Sequence, residues 1–236
     1  MSSAPVVRLL VPVVVLESAL IGLALGLGAA WSGSPVPVPM RPDVGEVLLG
    51  LAVSLPCVGA AFWFTSSAAQ RVGWAQRIQR RVLDSIGPGL AAEDVMGLAA
   101  ISLSAGLGEE LLFRGVLQHE LGLLASAVAF GLLHAVTPAY FVLALAMGLL
   151  LGALAEVSGG LMAPVIVHSV YDFAALLRLR AWARREADAG GGPPTGPRRS
   201  APDDGREWRP QDRPKAGLGP WEERADGDDE DSPGQP

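Results

Sequence analysis

At 236 residues, half of them hydrophobic and with a mean hydropathy of +0.36, the chain gathers its apolar residues in blocks long enough to cross a bilayer. It reads as a polytopic membrane protein, which excludes an ordinary water-soluble domain. The formal charge of −6 divides unevenly: residues 1–180 carry nine Lys/Arg against eleven Asp/Glu (−2), and residues 181–236 carry nine against thirteen (−4), so the acidity belongs mainly to the tail. A single cysteine, Cys57, excludes an internal disulfide.

In chain order, the first block covers residues 6–31. It is longer than the roughly 7–15 apolar residues of a secretory signal core and it contains Glu17, so an uncleaved helix is expected. A Pro-rich connector, residues 34–42, cannot continue that helix, and a second span is expected over residues 44–67. Arg71, Arg77, Arg80 and Arg81 then cluster between spans, and Arg178, Arg180, Arg184 and Arg185 cluster after the last. Positively charged loops stay on the cytoplasmic side, so both markers predict cytoplasmic termini and an even number of crossings. The first basic run is expected to rest on anionic lipid headgroups.

Further helices are expected over residues 95–121, 123–136, 140–156 and 161–179. The fold class is therefore an all-α membrane bundle of about six transmembrane helices with a disordered C-terminal tail. From about residue 187 the chain is Gly, Pro, Arg and acid, with too little apolar surface to offset its conformational entropy. Three regions follow: residues 1–94, two N-terminal spans and a basic cytoplasmic segment; residues 95–180, the core; and residues 181–236, the acidic tail.

The core holds an unusual set of polar groups. Glu109, Glu110, Arg114, His134, His168 and Asp172 lie in apolar runs, although an ionisable residue at a helix centre costs about 2.5–3.5 kcal/mol. Neighbours four apart share a helix face, which stacks Glu110 on Arg114, Phe130 on His134 and His168 on Asp172. Glu109 lies thirteen residues before Gly122 and His134 twelve after it, so a hairpin turning there puts both about 18–20 Å deep. His168 and Asp172 follow the 158–160 turn by about 8–12 residues, roughly 12–18 Å deep. One cluster of Glu, His, His and Asp is expected, and a bundle with such a cluster is expected to be a reaction site.

In this order Glu109-Glu110-x-x-x-Arg114, Phe130-x-x-x-His134 and His168-x-x-x-Asp172 resemble the three motifs of the CPBP family, the CAAX proteases and bacteriocin-processing enzymes also called Abi. The text around Glu110-Leu111-Leu112-Phe113-Arg114-Gly115 agrees, and so does Gly148 to Gly152 before the Glu156-x-Ser158-Gly159 turn. The resemblance covers about residues 95–178. It implies an intramembrane endopeptidase of the CAAX prenyl protease 2 kind, using a carboxylate and a histidine to activate water without an acyl-enzyme. On that pattern Glu109 is the general base, His134 holds the water, and His168 and residue 172 support the oxyanion. Glu110 and Arg114 pair to fix the helix, and Phe130 is packing that sets His134. Position 172 departs from the commoner asparagine of the family. An ionised Asp172 would repel an oxyanion, so it is either protonated or orients His168.

No cofactor is expected. The alternative is zinc on Glu109, His134, His168 and Asp172, a chemically acceptable ligand set. His119-Glu120 begins like a HExxH zinc helix, but Leu123 stands where the second histidine belongs. The competing non-enzymatic reading is an immunity or scaffold membrane protein in which the buried polar groups only tie helices together. That inert reading also suits Glu17, and Glu156 reads as a turn residue. Expected partners are membrane lipids and a membrane-associated peptide or protein substrate, with no nucleic acid. The Ala-, Gly-, Pro- and Arg-rich usage points to a GC-rich bacterial genome, hence a multi-pass protein of the bacterial inner membrane.

Overall fold

The structure, a computed structural model, describes residues 8–40 and 43–191. Every regular element among them is helical. α1 is Leu10–Trp31 and α2 is Val44–Phe64, the latter begun by Asp43, whose carboxylate accepts from the Gly45 and Glu46 N–H groups at 2.8 and 3.1 Å. A 3₁₀ turn, Ala69–Arg71, leads into α3, Gly73–Ala92. α4 is Val95–Leu121, capped by Asp94 accepting from Gly97 N at 2.7 Å. α5 is Leu123–Leu133, α6 is Pro138–Ser158 and α7 is Met162–Gly191.

Five of these helices (α1, α2, α4, α6 and α7) are long and apolar enough to cross a membrane. Leu48, Leu51, Leu55, Val142 and Val157 point outward, as lipid-facing residues must. α5 is the exception to the expected six. Its eleven residues reach about 16 Å, half of a bilayer core of about 30 Å, and it ends at His134. Pro138, which opens α6 behind the Thr137 cap, forbids a continuous helix through this point. The half-length helix is what delivers His134 to the interior.

α4 is the inner helix: 61% of its apolar window is buried, against 11% for α1. It packs on α1 and α7, while α7 also packs on α2 and α3 and α5 pairs with α6. Two close approaches depend on glycine. A Cβ at Gly108 would stand 2.6 Å from Glu17 Oε2 and 3.0 Å from the Glu17 carbonyl oxygen on α1. Gly106 faces the Ser169 hydroxyl of α7 with no room for a side chain. Gly108→Ala is expected to destabilise the bundle by about 1–3 kcal/mol, because a backbone oxygen cannot swing aside as a side chain can. Thermal melting in detergent measures this, and an unchanged midpoint would mean that α1 is free to move off α4.

Two features depart from the expected helices. Residues 70–81 were expected as a basic segment, but α3 is an amphipathic helix: Ala75, Ile78, Leu83 and Leu90 are buried while Arg77, Arg80, Arg81 and Asp84 stay exposed. The last helix was expected to end near residue 179, yet α7 runs to Gly191. It is held there by Arg184, which donates to Ala91 O at 2.9 Å and Glu93 O at 3.2 Å. Leu10 N also donates to Glu93, at 3.0 Å, so α1 starts on the same side as α7 ends. The expected disordered tail lies outside the described residues from 192 onward.

Candidate active site

α4 does not keep one winding throughout. From Leu111 to Leu117 it opens into a π-helix, a form that frequently marks functional sites because it re-aims side chains. The Phe113 carbonyl, which accepts from the Gln118 N–H at the end of this stretch, also accepts from the Ser126 hydroxyl of α5 at 2.6 Å. This crosslink ties α5 to the helix that carries Glu109 and Glu110.

The two glutamates face different partners. Glu110 is fully buried, and its Oε1 accepts from Arg114 Nη1 at 2.8 Å and meets His168 Nδ1 at 2.7 Å. Arg114 also donates to the Gly148 carbonyl of α6 at 3.2 Å, and its guanidinium lies 4.4 Å from the centre of the Phe130 ring. One buried cation therefore joins α4, α5, α6 and, through Glu110, α7. Phe130 lies between this cation and His134, with its ring stacked 4.5 Å from the imidazole.

Glu109 points the other way. Its Oε2 stands 3.6 Å from His134 Nε2 and 3.9 Å from His168 Nε2, and Asp172 Oδ2 is 3.7 Å from the same His168 nitrogen. His134 Nδ1 lies 2.9 Å from the Phe130 carbonyl, which can only accept, so the proton of neutral His134 sits on Nδ1 and Nε2 is free to accept. The sequence cluster is thus assembled: Glu109, Glu110, Arg114, Phe130, His134, His168 and Asp172 converge from α4, α5 and α7. Glu109 and His168 are buried; the side chains of His134 and Asp172 remain 25% and 30% exposed. These two sit at the wall of a largely apolar cavity of about 340 Å³, lined also by Cys57, Phe64, Trp74, Met147 and Leu179.

No group of three His, Cys, Asp or Glu side chains among the described residues is arranged to hold a metal ion. The separations of 3.6–3.9 Å instead leave each facing pair just beyond direct hydrogen-bond distance. A small polar molecule between them could bond to both members of a pair.

Residues 91–174 match the family model described as type II CAAX prenyl endopeptidase Rce1-like. Over these 84 of its 236 residues the chain is similar to the Rce1-like endopeptidases of the CPBP family. No curated protein and no solved structure matches the chain significantly. The Rce1-like core runs from the end of α3 into α7, so all seven clustered residues fall inside it while α1 and α2 do not. The matched model describes a CAAX-type endopeptidase, and the five apolar helices agree with an integral membrane protein.

Other polar residues sort out around the Rce1-like core. His119 and Glu120 sit at the far end of α4, where Glu120 accepts from the Ser32 hydroxyl, away from the cluster. Glu156 is more than a turn residue, since it accepts from Gln118 at 3.0 Å. Glu17 is buried on Gly108, beside Glu109, and its Oε2 has no hydrogen-bond partner among the described residues. Both tyrosines of the chain were missed by motif reading: Tyr171 stacks on His168 at 5.4 Å and Tyr140 meets His134 edge-on at 6.4 Å. Their signal was proximity alone, one inside the His168-x-x-x-Asp172 spacing and one six residues past His134.

Proposed function

We propose that the chain is an intramembrane endopeptidase that hydrolyses a peptide bond of a membrane-associated substrate with water activated by Glu109 and His134. The observation that carries this reading is the placement of Glu109 Oε2 between His134 Nε2 and His168 Nε2, at 3.6 and 3.9 Å, beside a cavity. Water between Glu109 and His134 gives one hydrogen to the carboxylate and the other to the free Nε2, which aims an oxygen lone pair at a carbonyl carbon. Glu109 takes the proton as the C–O bond forms and returns it to the leaving nitrogen. His168 and Asp172 lie on the oxyanion side. Glu110 and Arg114 are positioning residues, with Glu110 fixing the His168 tautomer and ring plane.

The surroundings support a membrane substrate. An apolar cavity next to the buried carboxylate suits an extended peptide that enters from lipid, and a low-dielectric site strengthens every oriented donor it contains. The common end of the two Arg clusters, with α1 starting and α7 ending there, supports cytoplasmic termini in a bacterial inner membrane, with the α3 arginines against anionic headgroups. On this reading residues 1–94 frame the catalytic core of residues 95–180, and residues 181–236 form an acidic tail that begins with the end of α7.

Purified protein in proteoliposomes, given a library of membrane-embedded peptides, is expected to cleave a subset with no response to a strong zinc chelator. Loss with chelator and recovery with zinc would favour Glu109, His134, His168 and Asp172 as metal ligands. No cleavage of any peptide would favour an immunity or scaffold role. Asp172→Asn is expected to retain cleavage, because the amide keeps a polar group at 172 without the charge that repels an oxyanion. Complete loss in a variant that melts normally would show that the carboxylate itself is needed.

A further inference from the structure

The oxyanion side of the candidate site is short of neutral donors. Asp172 as a carboxylate can only accept, His134 Nδ1 is committed to the Phe130 carbonyl, and His168 Nδ1 to Glu110. Elsewhere along the cavity wall the Thr65 hydroxyl donates to the Ala61 carbonyl at 2.8 Å and the Gln79 amide to the Phe64 carbonyl. The wall also carries the Trp63 and Trp74 indoles, which pack on one another and on Phe64, and two phenols, those of Tyr140 and Tyr171, whose rings pack on His134 and His168.

Their placements differ. Tyr171 lies parallel to His168, rings inclined by 7°, a contact that holds the imidazole plane. Tyr140 comes from another element, the first turn of α6, where its N–H donates to Thr137 Oγ1 at 3.1 Å. Its ring stands at 77° to His134, edge to face, with the ring centres 6.4 Å apart. We propose that the Tyr140 hydroxyl is a catalytic hydrogen-bond donor to the tetrahedral oxygen formed at this site, a role that rests on the endopeptidase reading above.

In the step concerned, water oxygen bonds to the carbonyl carbon and its proton passes to Glu109. The C=O electron pair moves onto the carbonyl oxygen, which Tyr140 O–H bonds without giving up its proton. The pair then returns, the C–N bond breaks, and Glu109 hands its proton to the leaving nitrogen. A phenol suits this position because it donates while neutral, so it relieves the repulsion that Asp172 would exert on the same oxygen.

Tyr140→Phe keeps the ring against His134 and removes only the hydroxyl. In proteoliposomes, with a library peptide that wild type cleaves, kcat is expected to fall about 10²–10³-fold with KM within about threefold. A kcat within about threefold of wild type overturns the proposal. A second measurement does not depend on how much of the variant is folded: inhibition by a peptide phosphinate, whose anionic oxygen stands in for the tetrahedral oxygen. Its inhibition constant is expected to rise in step with the loss in kcat/KM, and an unchanged constant overturns the proposal as well. Cleavage lost in Glu109→Gln but kept in Tyr140→Phe sinks the tyrosine alone. A wild type that cleaves nothing, or a Glu109→Gln variant as active as wild type, sinks the endopeptidase reading and the tyrosine with it.

Discussion

Glu109→Gln is expected to lower peptide cleavage by a factor of about 10³ or more while the protein still folds, because general-base removal costs about 10²–10⁴-fold and no second carboxylate stands in the same place. Glu110 is its neighbour in the chain, but its Oε1 is taken by Arg114 at 2.8 Å and His168 at 2.7 Å, and Glu17 is buried against Gly108 on the α1 side. Asp172 Oδ2 stands 3.7 Å from His168 Nε2 on α7. The substitution is also mild structurally. Glu109 Oε2 makes no hydrogen bond among the described residues, so glutamine breaks no direct hydrogen bond that holds helices together. Melting in detergent should therefore match wild type while turnover disappears, and this separation is what an inert bundle would not show. Cleavage surviving the substitution would remove Glu109 from the chemistry.

The sequence was most informative where chemistry and depth coincide. Glu110 and Arg114, four apart, do pair, and the count of thirteen and twelve residues about Gly122 put Glu109 and His134 at one depth, where the structure has them 3.6 Å apart. That counting assumed straight α-helices, although the π-helical stretch at Leu111–Leu117 lies within the thirteen residues counted. Helix type itself was not legible, since Leu, Phe, Val and Gly suit an α-helix and a π-helix alike; the change shows in the backbone, where the Gln118 N–H reaches back five residues to Phe113 O. The half-length of α5 was equally hidden. Apolar composition continues past Leu133 to Val136, and only Pro138 signals that the chain must turn inside the bundle.

Contacts between elements distant in the chain were the least legible. Glu17 looked partnerless in an apolar helix, but its neighbour is a glycine on α4, and absence of a side chain leaves no hydrophobic period to read. Glu46, an ordinary first-turn acid of α2, also accepts from Met162 N at 3.0 Å and Ala163 N at 3.3 Å and so caps α7 from outside. The basic residues of α3 drew attention by charge, although its opposite face, Ala75, Ile78, Leu83 and Leu90, is what packs it onto the bundle.

Arg114→Met should be the most destabilising of the substitutions considered, by about 3 kcal/mol or more, since removing one member of a buried ion pair leaves the other as an uncompensated charge. Arg114 is 2% exposed and Glu110 fully buried, so neither has water to fall back on. The guanidinium also caps the Gly148 carbonyl and lies on Phe130, so methionine would loosen α6 and the ring against which His134 stacks. His168 Nδ1 stays bonded to Glu110, which sets the loss near the lower end of the range for broken buried pairs. The double variant Arg114→Met with Glu110→Gln removes the orphaned charge and should recover part of the thermal stability but little activity, because a neutral amide holds His168 less firmly than a carboxylate does. Melting curves of the two single variants and the double variant, run in one detergent, give the coupling directly. Additive losses would mean that Arg114 acts through Gly148 and Phe130 and not through its ion pair.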